Sequence, residues 1–257
     1  MFIDSHCHLD FNCFCLEYDN LLSQLEKEKI DNVVIPATQK SAWAGIQSRC
    51  KSASNLYYGL GIHPHFLHNF EENDLTILND LLLSRDNRCV AVGEIGLDKY
   101  AEASTDLQEY VFIRQLRIAK RFKLPIILHI IKRQGRVLEI LKAEKFSCGG
   151  VYHAFSGSYQ VAMEFIKLGF KLGIGGVITY PQSKKTKDVI SLLPIESLLL
   201  ETDAPDMPLY QQQEVYNSPT NLPRIFDSLC NIRSEDKTCL AAQIYKNTQQ
   251  IFTLDND

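Results

Sequence analysis

The feature that most constrains this chain is an alternation. Eight short, nearly continuous apolar runs recur along it, separated by stretches whose hydrophobic residues have helical spacing. The runs are Phe2 to His8, Asn32 to Ala37, Leu56 to His63, Cys89 to Leu97, Pro125 to Ile130, Gly149 to Phe155, Phe170 to Gly176 and Ser197 to Asp203. Strands buried on both faces read as continuous apolar segments, and parallel strands need a helical crossover between them. The alternation therefore predicts an α/β fold, a single (β/α)8 TIM barrel over residues 1–257, a length at which such barrels form one domain. Hydrophobic residues make up 45% of the chain, enough to bury the large core this architecture demands.

Local signals place the elements. Thr105-x-x-Gln108 predicts a capping box, followed at helical spacing by Phe112, Leu116 and Ala119. Pro125 ends that helical register, and Gly59 and Gly169 are expected at chain reversals preceding strands. The tail from Pro223 to Phe252, with Ile225, Leu229, Leu240, Ile244 and Ile251, predicts closing helices.

In an eight-stranded α/β barrel, chemistry gathers at the C-terminal ends of the strands, so a polar residue that closes an apolar run is a site candidate. His6 and His8 close the first run, and strand alternation turns both imidazoles inward and Cys7 away. Glu94 lies inside the apolar fourth run, where an unpaired carboxylate is too costly to bury without a cation. His129 and His153 close the fifth and sixth runs, and Glu201 and Asp203 share a face at the end of the eighth. Three imidazole-bearing strand ends and two carboxylate-bearing ends are ample ligation for one or two divalent ions. Mixed imidazole and carboxylate donors suit Zn²⁺, Mn²⁺ or Fe²⁺ better than Ca²⁺, with a weakly held Mg²⁺ also compatible.

Composition excludes several alternatives. A net charge of −4 gives no general attraction to nucleic acid, so any such substrate must be held locally. No apolar stretch is long enough to span a bilayer, and Met1-Phe2-Ile3-Asp4 opens directly on a strand without a secretory leader, so a cytoplasmic protein is expected. The eight cysteines are scattered and predict reduced thiols rather than a disulfide framework. Cys13-x-Cys15 is too closely spaced for a zinc knuckle. Nothing in the sequence points to an obligate protein partner.

His6-Cys7-His8, Gly61-Ile62-His63-Pro64, Gly93-Glu94-Ile95-Gly96-Leu97-Asp98, His153-Ala154-Phe155-Ser156-Gly157 and Glu201-Thr202-Asp203-Ala204-Pro205 together resemble the TatD-type metal-dependent hydrolases over nearly the whole chain. Gly175-Gly176-Val177-Ile178-Thr179-Tyr180-Pro181 and Ala204-Pro205-Asp206-Met207-Pro208-Leu209 look most like the bacterial YjjV branch. The resemblance implies a deoxyribonuclease-like phosphodiesterase on an amidohydrolase-type barrel, acting on DNA ends or short oligonucleotides. It also implies that His6, His8, Glu94 and Asp203 bind one ion, that Glu94, His129 and His153 bind the other, and that Asp203 takes the proton of the attacking water. His63 closes the third run as a candidate donor to a phosphate oxygen or leaving group, or else as a supporting histidine before Pro64. Glu201 is expected to orient ligands or water; Asp98 and His65 are weaker candidates.

Two departures stand out. Where many members carry Ser-Arg or Cys-Arg after the fifth-strand histidine, this chain has Ile130-Ile131, with Lys132 and Arg133 farther along; where Asn-Arg-Pro is frequent, it has Asn217-Ser218-Pro219. Lys132, Arg133 and the Lys184-Lys185-x-Lys187 cluster are candidates to replace those phosphate contacts, the cluster reading equally as a solvated helix start. Two other functions are compatible with the same pattern. One is hydrolysis of a small-molecule amide, ester or phosphoester, since one barrel hosts many chemistries. The other is a non-enzymatic scaffold stabilised by metal, which spreads its ligands over more strands than structural sites use.

Overall fold

The computed structural model describes residues 1–254 and nothing of the side chains of residues 15–17, so the Cys15 thiol lies outside the described residues, as does the last stretch of the 1–257 span. Eight parallel strands follow one another in chain order around a barrel: β1 (Phe2–Asp4), β2 (Ile30–Pro36), β3 (Leu56–Leu60), β4 (Cys89–Asp98), β5 (Ile126–Ile131), β6 (Gly150–Tyr152), β7 (Phe170–Ile174) and β8 (Leu198–Leu200). Helices α1 (Tyr18–Lys27), α2 (Lys40–Ser52), α3 (Glu72–Leu83), α4 (Thr105–Phe122), α5 (Gln134–Ala143), α6 (Tyr159–Lys167) and α7 (Lys184–Leu192) separate them, and α8 (Leu222–Cys230) and α9 (Lys237–Phe252) follow β8.

The predicted barrel is therefore present, with its strands shorter at their C-terminal ends than the apolar runs. His6, His8, His63, His153, Glu201 and Asp203 all lie just beyond a strand ladder, in segments whose backbone still bonds to neighbouring strands. Cys7 N–H, for example, donates to Val34 O at 3.1 Å and His153 N–H to Leu128 O at 3.2 Å. Two local expectations are corrected. The N-cap of α4 is Ser104, whose hydroxyl accepts from Leu107 N–H, while Gln108 is drawn inward to accept from Asp98 N–H and donate to Ala103 O. Gly59 sits within β3, where a Cβ would press on Gly93 O of β4 at 3.0 Å; only Gly169, at φ 84°, turns the chain before its strand.

Most of the core lies between strands and helices, where Trp43, Phe112, Phe165 and Phe226 are buried, and Ile225, Leu229, Leu240 and Ile244 seat the last two helices. A second cluster, including Ile3, Val34, Ala91, Ile127, Val151 and Leu199, comes from strand residues of alternate register and fills the barrel's interior. Among the described residues, Cys7, Cys50 and Cys89 are buried thiols without disulfides, and no helix is long and apolar enough to cross a membrane.

The seam between β1 and β8 is closed by a side chain. Ser5 N–H donates to Leu200 O at 3.0 Å and Asp203 N–H to His6 O at 2.9 Å. Between them the buried Asp4 carboxylate accepts from Thr202 N–H at 3.0 Å and from the Thr202 hydroxyl at 2.6 Å, and also from His6 N–H. Asp4 thereby fixes the two chain segments that carry His6 and Asp203. Burial pushes its carboxyl up to about 7 against these hydrogen bonds.

Candidate metal centre

Glu94 projects from the middle of β4 into the barrel mouth, and its two oxygens face different groups of side chains. Oε2 lies 3.4 Å from His6 Nε2 and 3.6 Å from His8 Nε2, and Asp203 Oδ1 stands at the same 3.4 and 3.6 Å from those two nitrogens. Oε1 lies 2.9 Å from His153 Nε2, 3.1 Å from His129 Nδ1 and 3.5 Å from His63 Nε2. One carboxylate thus spans two clusters of donor atoms, and all of these residues except His129 are buried.

The donor set fits divalent metal. Imidazole nitrogens that approach each other at 3.3 Å (His6 and His8, both buried) and 3.2 Å (half-buried His129 and buried His153), with carboxylate oxygens alongside, bring lone pair against lone pair unless a cation or a proton intervenes. The electrostatics carry the same demand. Burial pushes His6 down to about 3. For His153, burial pulls down, but Glu94 and Asp203 outweigh it and raise the ring to about 10, so the carboxylates recruit positive charge onto an imidazole. Burial likewise works against the Glu94 carboxylate, yet the histidines around it hold it well below its ordinary value.

Tautomers can be assigned from hydrogen bonds. His129 Nε2 lies 2.8 Å from Asp98 Oδ2, so the ring hydrogen sits there and the Nδ1 lone pair faces the site. Asp98 holds His65 Nε2 at 2.8 Å and accepts Tyr100 N–H at 2.7 Å, which fixes the carboxylate that fixes His129. His63 has the opposite polarity. Its Nδ1 accepts from His65 N–H at 3.1 Å, and burial keeps the ring neutral, well below its ordinary pKa, so its hydrogen sits on Nε2 and points into the site. His63 is a donor to whatever occupies the mouth.

Glu201 does not face the carboxylate-bridged clusters. It accepts Ala154 N–H at 2.5 Å, stands 4.0 Å behind His153 Nδ1, and occupies space that a side chain on Gly173 would fill. Burial pushes its carboxyl up to about 8. Asp203 takes a left-handed backbone conformation, φ 56°, pinned by its N–H bond to His6 O. Arg133 is tied to the Thr105 hydroxyl at 3.1 Å, Lys184, Lys185 and Lys187 open α7, and Asn217 is buried, its amide donating to Thr202 O and Met207 O. Sequence reasoning missed Asp4 and gave Asp98 too little weight; Asp4 is a carboxylate inside the first apolar run, the signal that singled out Glu94, and Asp98 directly follows the fourth.

The Asp98 contact yields a direct test. Asp98→Asn keeps the shape but weakens the acceptor on His129, and is expected to reduce metal affinity about 10- to 100-fold with the fold intact. Competition with a chelator measures it; affinity equal to wild type would mean that His129 needs no such orientation.

The family model described as TatD related DNase matches residues 3–253. The chain is 39% identical over 254 residues to the metal-dependent hydrolase YjjV of Escherichia coli, covering 98% of each, and 36% identical over 260 residues to a metal-dependent hydrolase of Haemophilus influenzae, covering 98% of this chain and 99% of that one. The crystal structure of Escherichia coli YjjV superposes with a TM-score of 0.93, covering 99% of this chain and 98% of that one. An amidohydrolase from Saccharomyces cerevisiae, 19% identical, superposes with a TM-score of 0.86 over 98% of this chain and 99% of its own, a likeness of fold.

Proposed function

Because the chain belongs to the TatD family of metal-dependent hydrolases, we propose that it is a phosphodiesterase that cleaves DNA ends or short oligonucleotides with one or two divalent ions. The observation that carries this reading is the division of Glu94: one oxygen faces His6, His8 and the Asp203 carboxylate, the other His129 and His153. Those residues would hold the ions. When bound, such ions lower the pKa of water and offset charge building on phosphoryl oxygens. Asp203, whose carboxyl is raised by burial, accepts the proton of the attacking water. His63 offers its Nε2–H as a hydrogen bond to a phosphoryl oxygen or to the leaving oxygen and keeps its proton, a role suited to a ring that stays neutral. Glu201 holds Ala154 and, through it, the adjacent His153 in place. Phe11 and Phe66 line the same cavity of about 350 Å³ and limit its contact with water.

The test is hydrolysis of a short single-stranded DNA after chelation and readdition of Mg²⁺, Mn²⁺ or Zn²⁺, with wild type beside Asp203→Asn. Cleavage by the wild type and a loss of about 10² to 10⁴ in the variant, with unchanged KM, is the expected result. Silence of the wild type with every metal would overturn the nuclease reading.

A second reading has its own support: among the described residues neither arginine nor lysine lines the small central cavity, so its wall carries no fixed side-chain cation of the kind that favours a phosphate over a neutral carbonyl. Turnover of amides, esters or lactones in preference to oligonucleotides would favour it.

A further inference from the structure

A cleft of about 800 Å³, larger than the cavity of about 350 Å³ that holds Glu94, lies between the loops after β5 and β6 and the first turns of α7. Ile130, Ile131, Val161 and Val189 give it apolar walls, and Lys132 and Lys185 border it from separate elements. Among the described residues, neither lysine has a carboxylate within ion-pair distance, whereas Lys142 and Lys167 both rest on Glu164. One acid, Asp188, lines the same cleft, which leaves a net positive charge. Lys132 has a left-handed backbone, φ 55°, in the segment between β5 and α5. It lies three residues after His129, no more than about 11 Å along the chain. On the other wall, Ser156 and Gly157 follow His153 by three and four residues.

We propose that this cleft is a second subsite, which seats the next nucleotide of a single-stranded DNA whose scissile phosphate lies at the metal centre. The inference rests on the phosphodiesterase reading above. A base needs an apolar slot and its phosphate needs unpaired cations, and the cleft supplies both. The same arrangement accounts for the missing arginines. At the position after His129-Ile130 the chain has Ile131, a wall of the cleft, and the positive charge has moved one residue on to Lys132 and across to Lys185. Arg133, tied to Thr105, and Lys184, outside the cleft wall, are not the replacements.

The experiment measures binding of a cleavage-resistant phosphorothioate hexathymidylate to the metal-loaded protein by fluorescence anisotropy across a salt series. Lys132→Ala/Lys185→Ala is expected to weaken binding about ten-fold and to reduce the slope of log affinity against log salt by about 1.4, two single-strand contacts. Val189→Trp, which fills the slot, weakens binding without changing that slope, and Lys51→Ala on the opposite end of the barrel changes neither. Unchanged affinity and slope in the double variant, an equal loss in the Lys51 control, or no binding by the wild type would overturn the subsite. Lysine-dependent binding by a protein that hydrolyses no DNA would instead sink the nuclease reading and leave the cleft standing.

Discussion

Glu94→Gln is expected to lower hydrolysis by about a thousand-fold or more and to reduce bound metal, with little change in secondary structure. A loss of that size corresponds to roughly 4 kcal/mol of barrier, within what divalent ions contribute to charge stabilisation. The reason is the position of the two oxygens. Each is within 3.6 Å of at least two imidazole nitrogens, so one substitution touches both donor clusters at once. Glutamine also replaces one oxygen by an NH₂, which has hydrogens and no lone pair to offer, and removes the buried negative charge that the histidines face. Elemental analysis of the purified variant beside its turnover decides the matter. Metal content and rate within ten-fold of wild type would remove Glu94 from the centre of the site.

Gly96→Ala is expected to be the most damaging substitution for the fold, costing on the order of 4 kcal/mol or more and leaving little soluble protein. Gly96 pairs with His129 across β4 and β5, and at φ 154° its backbone is in a region that L side chains avoid. A Cβ there collides with the carbonyl oxygen of His129 and sits 2.8 Å from its carbonyl carbon. Backbone cannot rotate away as a side chain can, so the two strands must part, and β4 carries Glu94 while β5 carries His129. Urea unfolding compared with wild type is the measurement; an unchanged midpoint would show that the β4–β5 pair yields at no cost.

The barrel was legible because burial on both faces leaves a continuous apolar run, a signal that survives without any neighbouring sequence. The residues in the mouth were legible for a related reason: a polar side chain inside or closing such a run has no solvent to justify it, which is how Glu94, His129 and His153 stand out. What the sequence did not disclose was direction. Glu201 and Asp203 alternate as if on one strand face, but Asp203 leaves the extended conformation at φ 56°, so the two carboxylates separate and Glu201 turns behind His153. Gln108 fits a capping pattern, yet the unmet Asp98 N–H is a stronger claimant for its amide oxygen. The roles of Asp98 and Asp4 depend on partners 31 and 198 positions away, and no local pattern encodes those meetings.

The seam where Asp4 meets Thr202 has a consequence for how the protein is made. His6 and His8 emerge from the ribosome first, while Asp203, which faces them, is synthesised only after all eight strands. The cluster of Glu94, His129 and His153 is complete once β6 has been made, well before the cluster at the seam. The two halves of the centre therefore mature in a fixed order, and the last to form coincides with closure of the sheet. A polypeptide released early, without β8, would keep an unpaired β1 edge open to other chains and to proteases. Completion of the barrel and completion of the donor set therefore coincide, so a copy that lacks β8 lacks both the closed seam and the carboxylate of Asp203.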